Sequence, residues 1–176
     1  MEFRTLKPEE ISCRVNQINE KGLTLLLYKN ARVDMDILDE TVGNMNWKKE
    51  YTRDNQNCIV SIYDEKKKEW ISKEDTGTES NSEAEKGLAS DSFKRACVNW
   101  GIGRELYTSP FIYIGADKVN IKTSDKGKHT TYDKFHVDAI KYNERKAIIG
   151  LSIKNQDGKR VYLLKPVEEE KNEDNK

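Results

Sequence analysis

The sequence has no hydrophobic run long enough to cross a membrane and few of the residues that stabilise small secreted domains. Its apolar stretches fall short of the roughly 18 to 20 residues that a membrane-spanning helix needs, and Met1–Pro8 lacks the apolar core of a signal peptide. Three cysteines, Cys13, Cys58 and Cys97, stand far apart with no CxxC spacing, which is typical of free thiols in a reducing compartment. We therefore predict a cytoplasmic protein with no membrane partner.

Motifs for nucleotide, metal and covalent chemistry are also scarce. No G-x-x-x-x-G-K-[ST] sequence occurs, which argues against an ATP-driven recombinase or helicase. The glycines of GIGRELY follow a predicted helix, whereas a dinucleotide-binding motif needs a preceding strand. His129 and His136 do not have a usual zinc spacing, and no Ser-His-Asp or Cys-His arrangement stands out. We predict that the protein is not an enzyme and that it uses neither a cofactor nor a metal.

The formal net charge of the 176 residues is zero, but charge is unevenly distributed along the chain. Residues 1–93 hold 14 basic and 19 acidic side chains, residues 94–165 hold 15 and 7, and residues 166–176 hold 2 and 5. The length suits one domain, which we place at residues 1–165, and the acidic end at 166–176 predicts a disordered tail. A basic segment of this size can present a positive surface to a polyanion.

Hydrophobic periodicity predicts an α+β fold with an N-terminal hairpin and C-terminal strands. Two extended runs in residues 11–28 surround a turn at Gly22, and Asn30 caps a helix with apolar residues at helical spacing. Further strands are predicted after Pro110, whereas the polar residues 118–134 predict a loop.

The centre of the chain predicts an antiparallel β-sheet packed against a long helix, a β-β-β-α core. Three strands with a period near two lie between Trp47 and Thr76. The helix is opened by Ser82 with Glu85 three residues later, which is the spacing of a capping box, and it ends at Trp100 before Gly101.

This helix carries two adjacent cations that its packing does not require. Lys94 falls opposite the core-facing side, Arg95 falls on its flank, and Arg104 follows the glycine turn; the core-facing residues are Leu88, Ser92, Ala96 and Trp100. Fixed cations on an exposed helix suit a phosphate backbone, which is held without reading of the bases. The alternative is an ordinary solvated helix surface that ends in a glycine cap.

Cations also alternate with aromatic residues, as they do in grooves that bind single strands through base stacking. Lys48, Lys49 and Arg53 stand close to Trp47, and Trp70 follows a run of three lysines. The alternative is that each tryptophan is a core residue of its strand.

Three segments together resemble the Rad52-type single-strand annealing proteins. SDSFKRACVNWGIGRELY resembles their helix with a Lys-Arg-Ala core before a Gly-rich turn, RVDMDILDETVGNMNW their Arg-led helix that ends before a Trp, and EWISKEDTGTES their strand with a Glu-Asp-x-Gly end. The resemblance extends from about Arg32 to Tyr107. It rests on the shared order and spacing of the three segments.

The resemblance implies an α+β annealing core that assembles into a homo-oligomeric ring, with single-stranded DNA in a positive groove around its outside. By motif position, Arg32, Lys94 and Arg95 correspond to residues that contact the DNA backbone. Val98 stands where animal members have a further basic residue, so the number of phosphates held by each subunit does not carry over. The linker between the Trp70 strand and the Lys94 helix is shorter than in those members, so a secondary DNA site does not carry over either. A phage or prophage protein is the branch that fits best, with a phage or host single-strand binding protein or exonuclease as further partners.

The predicted function is ATP-independent binding and annealing of single-stranded DNA in homologous recombination and repair. The predicted DNA contacts are Arg32, Lys48, Lys49, Arg53, Lys94, Arg95 and Arg104. Two alternatives stay open: a metal-dependent nuclease, which would use the E-x-K spacing of Glu65 and Lys67 with Asp64 and Asp75, and a protein-interaction module without DNA activity.

Overall fold

A computed structural model describes residues 1–78 and 84–166 of the chain. The predicted capping pair Ser82 and Glu85, and the acidic tail from residue 167 onward, lie outside the residues and side chains described. Within the described residues no helix is both long and apolar enough to span a membrane. The chain forms two compact units: unit 1 contains Met1–Leu6 and Lys29–Tyr107, and unit 2 contains Lys7–Tyr28 and the residues from Thr108 onward.

Unit 1 combines two helices with a three-stranded antiparallel sheet. Its elements are α1 (Ala31–Val42), β3 (Trp47–Thr52), β4 (Asn57–Asp64), β5 (Glu69–Thr76) and α2 (Ala84–Trp100), and the strand order is β3-β4-β5. The Asn30 side chain caps α1 by accepting hydrogen bonds from the backbone N–H groups of Arg32 and Val33. Local signals of alternation and capping therefore produce each element of this unit.

One surface of this sheet is covered by α2. Side chains directly opposite each other on paired strands share a surface, and Lys49, Val60 and Lys73 occupy one row of it. Helix α2 packs on β4 and β5 from this side, and the Trp100 indole N–H donates to the Val60 carbonyl oxygen at 3.0 Å. The core between them is fully buried and consists of Cys58, Val60, Ile62, Phe93, Ala96 and Cys97.

Unit 2 is built on a six-stranded antiparallel sheet in the order β11-β10-β9-β1-β2-β6. Its strands are β1 (Ser12–Asn19), β2 (Gly22–Tyr28), β6 (Ile112–Gly115), β9 (Phe135–Tyr142), β10 (Ile148–Asn155) and β11 (Arg160–Leu164). The outer strands β6 and β11 lie in contact, so the sheet curls toward a barrel. Its buried residues include Leu23, Leu25, Ile112, Ile114, Val137, Leu151, Ile153 and Val161.

The α+β class predicted from the sequence is confirmed. Strands β1 and β2 pair with each other as expected, but they also join β9 and β6, so they form the middle of a larger sheet. The stretch predicted as a loop at 118–134 contains a short antiparallel pair, β7 (Lys122–Thr123) and β8 (His129–Thr130). Its turn is closed by Gly127, whose φ is +73°, and by two hydrogen bonds between Ser124 and Lys128, which outweigh the low apolar content.

The two glycines after α2 have positive φ angles for different reasons. Gly101 has φ +98° just past the helix end, where a left-handed residue closes the last turn, and a Cβ there would meet no atom within 4 Å. Gly103 has φ +70°, and a Cβ there would lie 2.0 Å from Cε of Lys29. The side chain of Lys29 therefore passes directly over Gly103, at a distance that any other residue would obstruct.

We predict that Gly103→Ala destabilises the protein more than Gly101→Ala. Both substitutions place an L side chain at positive φ, which costs about 1–2 kcal/mol, but only alanine at Gly103 must also displace the buried Lys29 chain, for a total of about 3 kcal/mol. Urea denaturation of both variants measures the difference. Equal losses of unfolding free energy would contradict the close packing of Lys29 on Gly103.

Candidate nucleic-acid interface

The adjacent cations on α2 point to opposite flanks of the helix. Arg95 is exposed, and its Nε lies 3.5 Å from Oδ1 of Asp75 on β5. Lys94 is half-buried on the other flank, where its positive charge acts on Asp34 of α1. The helix therefore holds Arg95 near the edge strand β5 and Lys94 near α1. The two charged groups lie on different sides of the helix although the residues are neighbours in sequence.

Asp34 forms a buried ion pair with Lys29. The Lys29 ammonium donates to Oδ1 of Asp34, and both side chains are almost fully inaccessible to solvent. The second carboxylate oxygen of Asp34 is buried without a hydrogen-bond partner among the described residues. Burial raises the pKa of Asp34 to about 6, although the charges of Lys29 and Lys94 oppose the rise.

The sequence contains one signal for this ion pair, which lies on α1. Asp34 lies on the apolar stripe of α1 between Val33 and Ile37, where a carboxylate must find a partner or remain uncharged. Lys29 gave no signal, because a lysine between a strand and a helix cap is typical of an exposed loop. Within unit 1, the structure thus connects the residue that precedes the α1 cap, helix α1 and the glycine turn after α2.

Two more cations lie on the helix-covered surface of the sheet, against aromatic rings. The Lys49 ammonium lies 4.5 Å from the ring centroid of Phe93, and the Lys73 ammonium lies 4.5 Å from that of Trp100. Lys73 also donates to the carbonyl oxygen of Asn99 at 2.8 Å. These contacts hold both ammonium groups beside α2.

Lys48 and Lys49, which are neighbours in sequence, lie on opposite surfaces of the sheet. Successive side chains of a strand alternate, so Lys48 lies on the side away from α2, 5.2 Å from the ring centroid of Trp70 and 3.1 Å from the Glu50 carboxylate. Arg53 is exposed in the β3–β4 turn with φ +51°. The structure therefore does not bring the three predicted cations of this region to one surface.

The last two predicted contacts have different surroundings. Arg32 is exposed in the first turn of α1. Arg104 donates from its guanidinium to the carbonyl oxygens of Val98 and Asn99, at 2.8 Å and 3.1 Å, and so satisfies the C-terminal end of α2. Some of the Arg104 donors are thus occupied by its own helix.

The acidic residues considered for a nuclease are not assembled. Asp64 and Glu65 lie at the β4–β5 turn, whereas Asp75 pairs in register with Cys58 at the other end of the β4–β5 ladder. Across residues 1–78 and the described part from residue 84 to 166, no group of three or more His, Cys, Asp or Glu side chains is placed to hold a metal ion.

The cysteines are poor nucleophiles in this fold. Burial raises the pKa of Cys58 to about 11 and that of Cys13 to about 12, and it raises the pKa of Cys97 further. All three thiols therefore stay protonated near neutral pH.

A segment of the chain that includes α2 matches a known protein family. Residues 58–126, which contain β4, β5 and the whole of α2, match the family model described as Rad52/22 family double-strand break repair protein. This segment is less than half of the chain, and over it the chain is similar to the Rad52/22 family. No curated protein and no solved structure matches the chain.

We predict a specific pH dependence of stability for Asp34. The raised pKa means that the folded state binds more protons than the unfolded chain between the ordinary value of 3.8 and about 6, so stability from this group is fully present below pH 4 and falls as pH rises to 6. Because Asn does not titrate, the unfolding free energy of wild type relative to Asp34→Asn should fall by about 2 kcal/mol between pH 4 and pH 6.

Denaturation curves of both proteins between pH 4 and pH 7.5 test this expectation. Asp36→Asn, an exposed change on the same helix, is the matched control and should run parallel to wild type. Parallel curves for Asp34→Asn as well would show that Asp34 has no raised pKa.

Proposed function

We propose that the protein binds single-stranded DNA and anneals complementary strands without ATP. The observation that supports this best is that α2, with Lys94 and Arg95, lies inside the segment that matches a family of double-strand break repair proteins. A role in DNA recombination and repair is supported by the similarity to that family. Strand binding, ATP independence and the residues involved are the proposal.

The chemistry proposed for α2 is neutralisation of phosphate. An ion pair as exposed as that of Arg95 and Asp75 is worth about 0–1 kcal/mol, so a phosphate can replace the carboxylate and accept two parallel N–H donors from the guanidinium. Lys94, held on the opposite flank, acts as a point charge for a second phosphate. Cations that reduce repulsion between two strands let them sample register, and base pairing then supplies the free energy.

The other predicted cations differ in how many contacts they already make within the protein, and this decides how strongly we expect each to bind DNA. Arg32 and Arg53 are exposed and form no ion pair with any residue that the structure describes, so we propose them as backbone contacts. Lys49 is held against Phe93, and Arg104 is partly occupied by carbonyl oxygens of α2, so we expect smaller contributions from these two. Lys48 lies on the surface of the sheet away from α2. Any phosphate that it contacts therefore belongs to a different part of the DNA strand from the phosphates at α2.

The assembly proposed with this function is a homo-oligomeric ring with DNA in an outer groove. A single annealing domain at residues 1–165, a phage or prophage origin, a cytoplasmic location, and a single-strand binding protein or exonuclease as partner complete the proposal. The ring, the origin and the partners rest on the resemblance to Rad52-type proteins, whereas the domain bounds rest on chain length and the acidic end, and the location rests on the three widely spaced cysteines.

The test of the proposed function is an annealing reaction without ATP. Purified protein is mixed with two labelled complementary oligonucleotides, and duplex formation is followed at low and high salt, with and without Mg²⁺. Acceleration that fades with salt supports the proposal. Strand loss that needs Mg²⁺ would indicate a nuclease instead, and neither binding nor acceleration would leave an interaction module.

We predict that Lys94→Ala with Arg95→Ala weakens binding of a labelled oligonucleotide by at least about tenfold. Each lost phosphate contact should also lower the slope of log affinity against log salt by about 0.7 for a single strand. The matched control is Lys141→Ala with Arg145→Ala, which removes the same charges from exposed positions in unit 2. Circular dichroism checks that α2 stays folded. Equal binding by both double variants would exclude α2 as the contact.

A further inference from the structure

A basic arm projects from unit 2, formed by residues 121–132. It contains β7 and β8 and the turn at Ser124–Lys128, and most of its side chains are exposed. A hydrogen bond between the Thr123 hydroxyl and Nδ1 of His129, at 3.0 Å, links the two strands below the turn. The basic arm is thus an ordered hairpin and presents its side chains from a fixed backbone.

The base of the arm is clamped by one carboxylate. Asp133 accepts hydrogen bonds from the backbone N–H of Asn120 at 2.8 Å, from its side-chain amide at 3.1 Å, and from the Gln156 amide at 3.3 Å. Gln156 also accepts from the backbone N–H of Lys134 at 2.9 Å. Both ends of the arm are therefore held together and tied to the β10–β11 turn.

The cations of the arm are not neutralised by the protein. Lys122, Lys126 and Lys128 are exposed, and Asp125 is the single acidic residue among them. In the described part of the chain no ion pair involves any of the three ammonium groups. The Lys154 ammonium in the same unit, by contrast, lies 2.7 Å from Oδ1 of Asp138.

An aromatic ring accompanies these cations. Tyr132 is 79% exposed, and the Lys122 ammonium lies 5.0 Å from its ring centroid. A flat ring next to cations that can hold phosphates is the combination by which single strands are bound without sequence preference.

We propose that the basic arm is a second contact for single-stranded nucleic acid, in which Lys122, Lys126 and Lys128 hold phosphates and Tyr132 stacks on an unpaired base. The inference rests on the proposed function, since it adds a contact to the same ligand. An unpaired strand is favoured over a duplex because a duplex offers no free base surface to Tyr132. An acidic protein surface would use the lysines but would not need the ring.

The test measures binding of a labelled oligothymidine to the full chain over a range of salt concentrations. The triple variant Lys122→Ala, Lys126→Ala, Lys128→Ala should lower the salt slope by about 2, since each phosphate contributes about 0.7 on a single strand. Tyr132→Ala should weaken binding by about five- to tenfold, and Tyr132→Phe should restore it. Neither variant should reduce the affinity for a duplex of the same length as strongly as it reduces the affinity for the single strand.

Matched controls separate the arm from general effects of charge and surface. Lys21→Ala, Lys141→Ala, Lys159→Ala removes the same charge from exposed sites in unit 2, and Phe111→Ala removes a ring that is also 79% exposed. Arm variants that bind like these controls, while wild type binds, would overturn the inference and leave the proposed function in place. Absence of binding by wild type would overturn both. Loss with the lysine variant but none with Tyr132→Ala would overturn base stacking and indicate a general polyanion contact.

Discussion

The buried pair of Lys29 and Asp34 is the constraint around which unit 1 is organised. Removing two charges from water costs several kcal/mol for each ion, and only close pairing offsets this cost. Lys29 reaches its partner by lying over Gly103, so the glycine turn after α2 must keep its positive φ. One electrostatic requirement thereby fixes the start of α1 and the exit from α2 together.

Lys94 connects this pair to the proposed DNA contact. Among the residues that the structure describes, Oδ2 of Asp34 has no hydrogen-bond partner, and the Lys94 charge lowers the pKa of the same carboxyl. The cation that we propose for phosphate is thus also part of the environment of a buried acid. Arg95, on the other flank, lies 3.5 Å from the half-buried carboxylate of Asp75. Lys94 and Arg95 are adjacent in sequence, but Lys94 interacts with a buried acid and Arg95 does not.

Local patterns predicted the elements of unit 1 well and its electrostatics poorly. Alternation and turn residues located β3, β4 and β5 to within about two residues, because strand period and turn chemistry are local properties. The same alternation places Lys48 and Lys49 on opposite surfaces of the sheet, although their closeness in sequence predicts a single cluster of cations. Sheet order in unit 2 was not predictable, because contacts such as Ser12 with His136 depend on residues far apart in the chain. The low apolar content of residues 118–134 predicts a loop. The basic arm within this stretch is nevertheless ordered, because Asn120, Asp133 and Gln156 form polar contacts at its base.

The path of the chain through the two units has a consequence for how the protein folds. Residues 29–107, nearly all of unit 1, form one uninterrupted insertion between β2 and the later strands of unit 2. Their sheet and helix pair close neighbours in sequence, so their contact order is low and their folding nucleus can form early. Strands β1 and β2 must wait for β6 and β9, which are translated much later. On the ribosome the helix with the two cations can therefore be complete while the first hairpin still has two open strand edges, and this is the interval in which those edges are most exposed to aggregation.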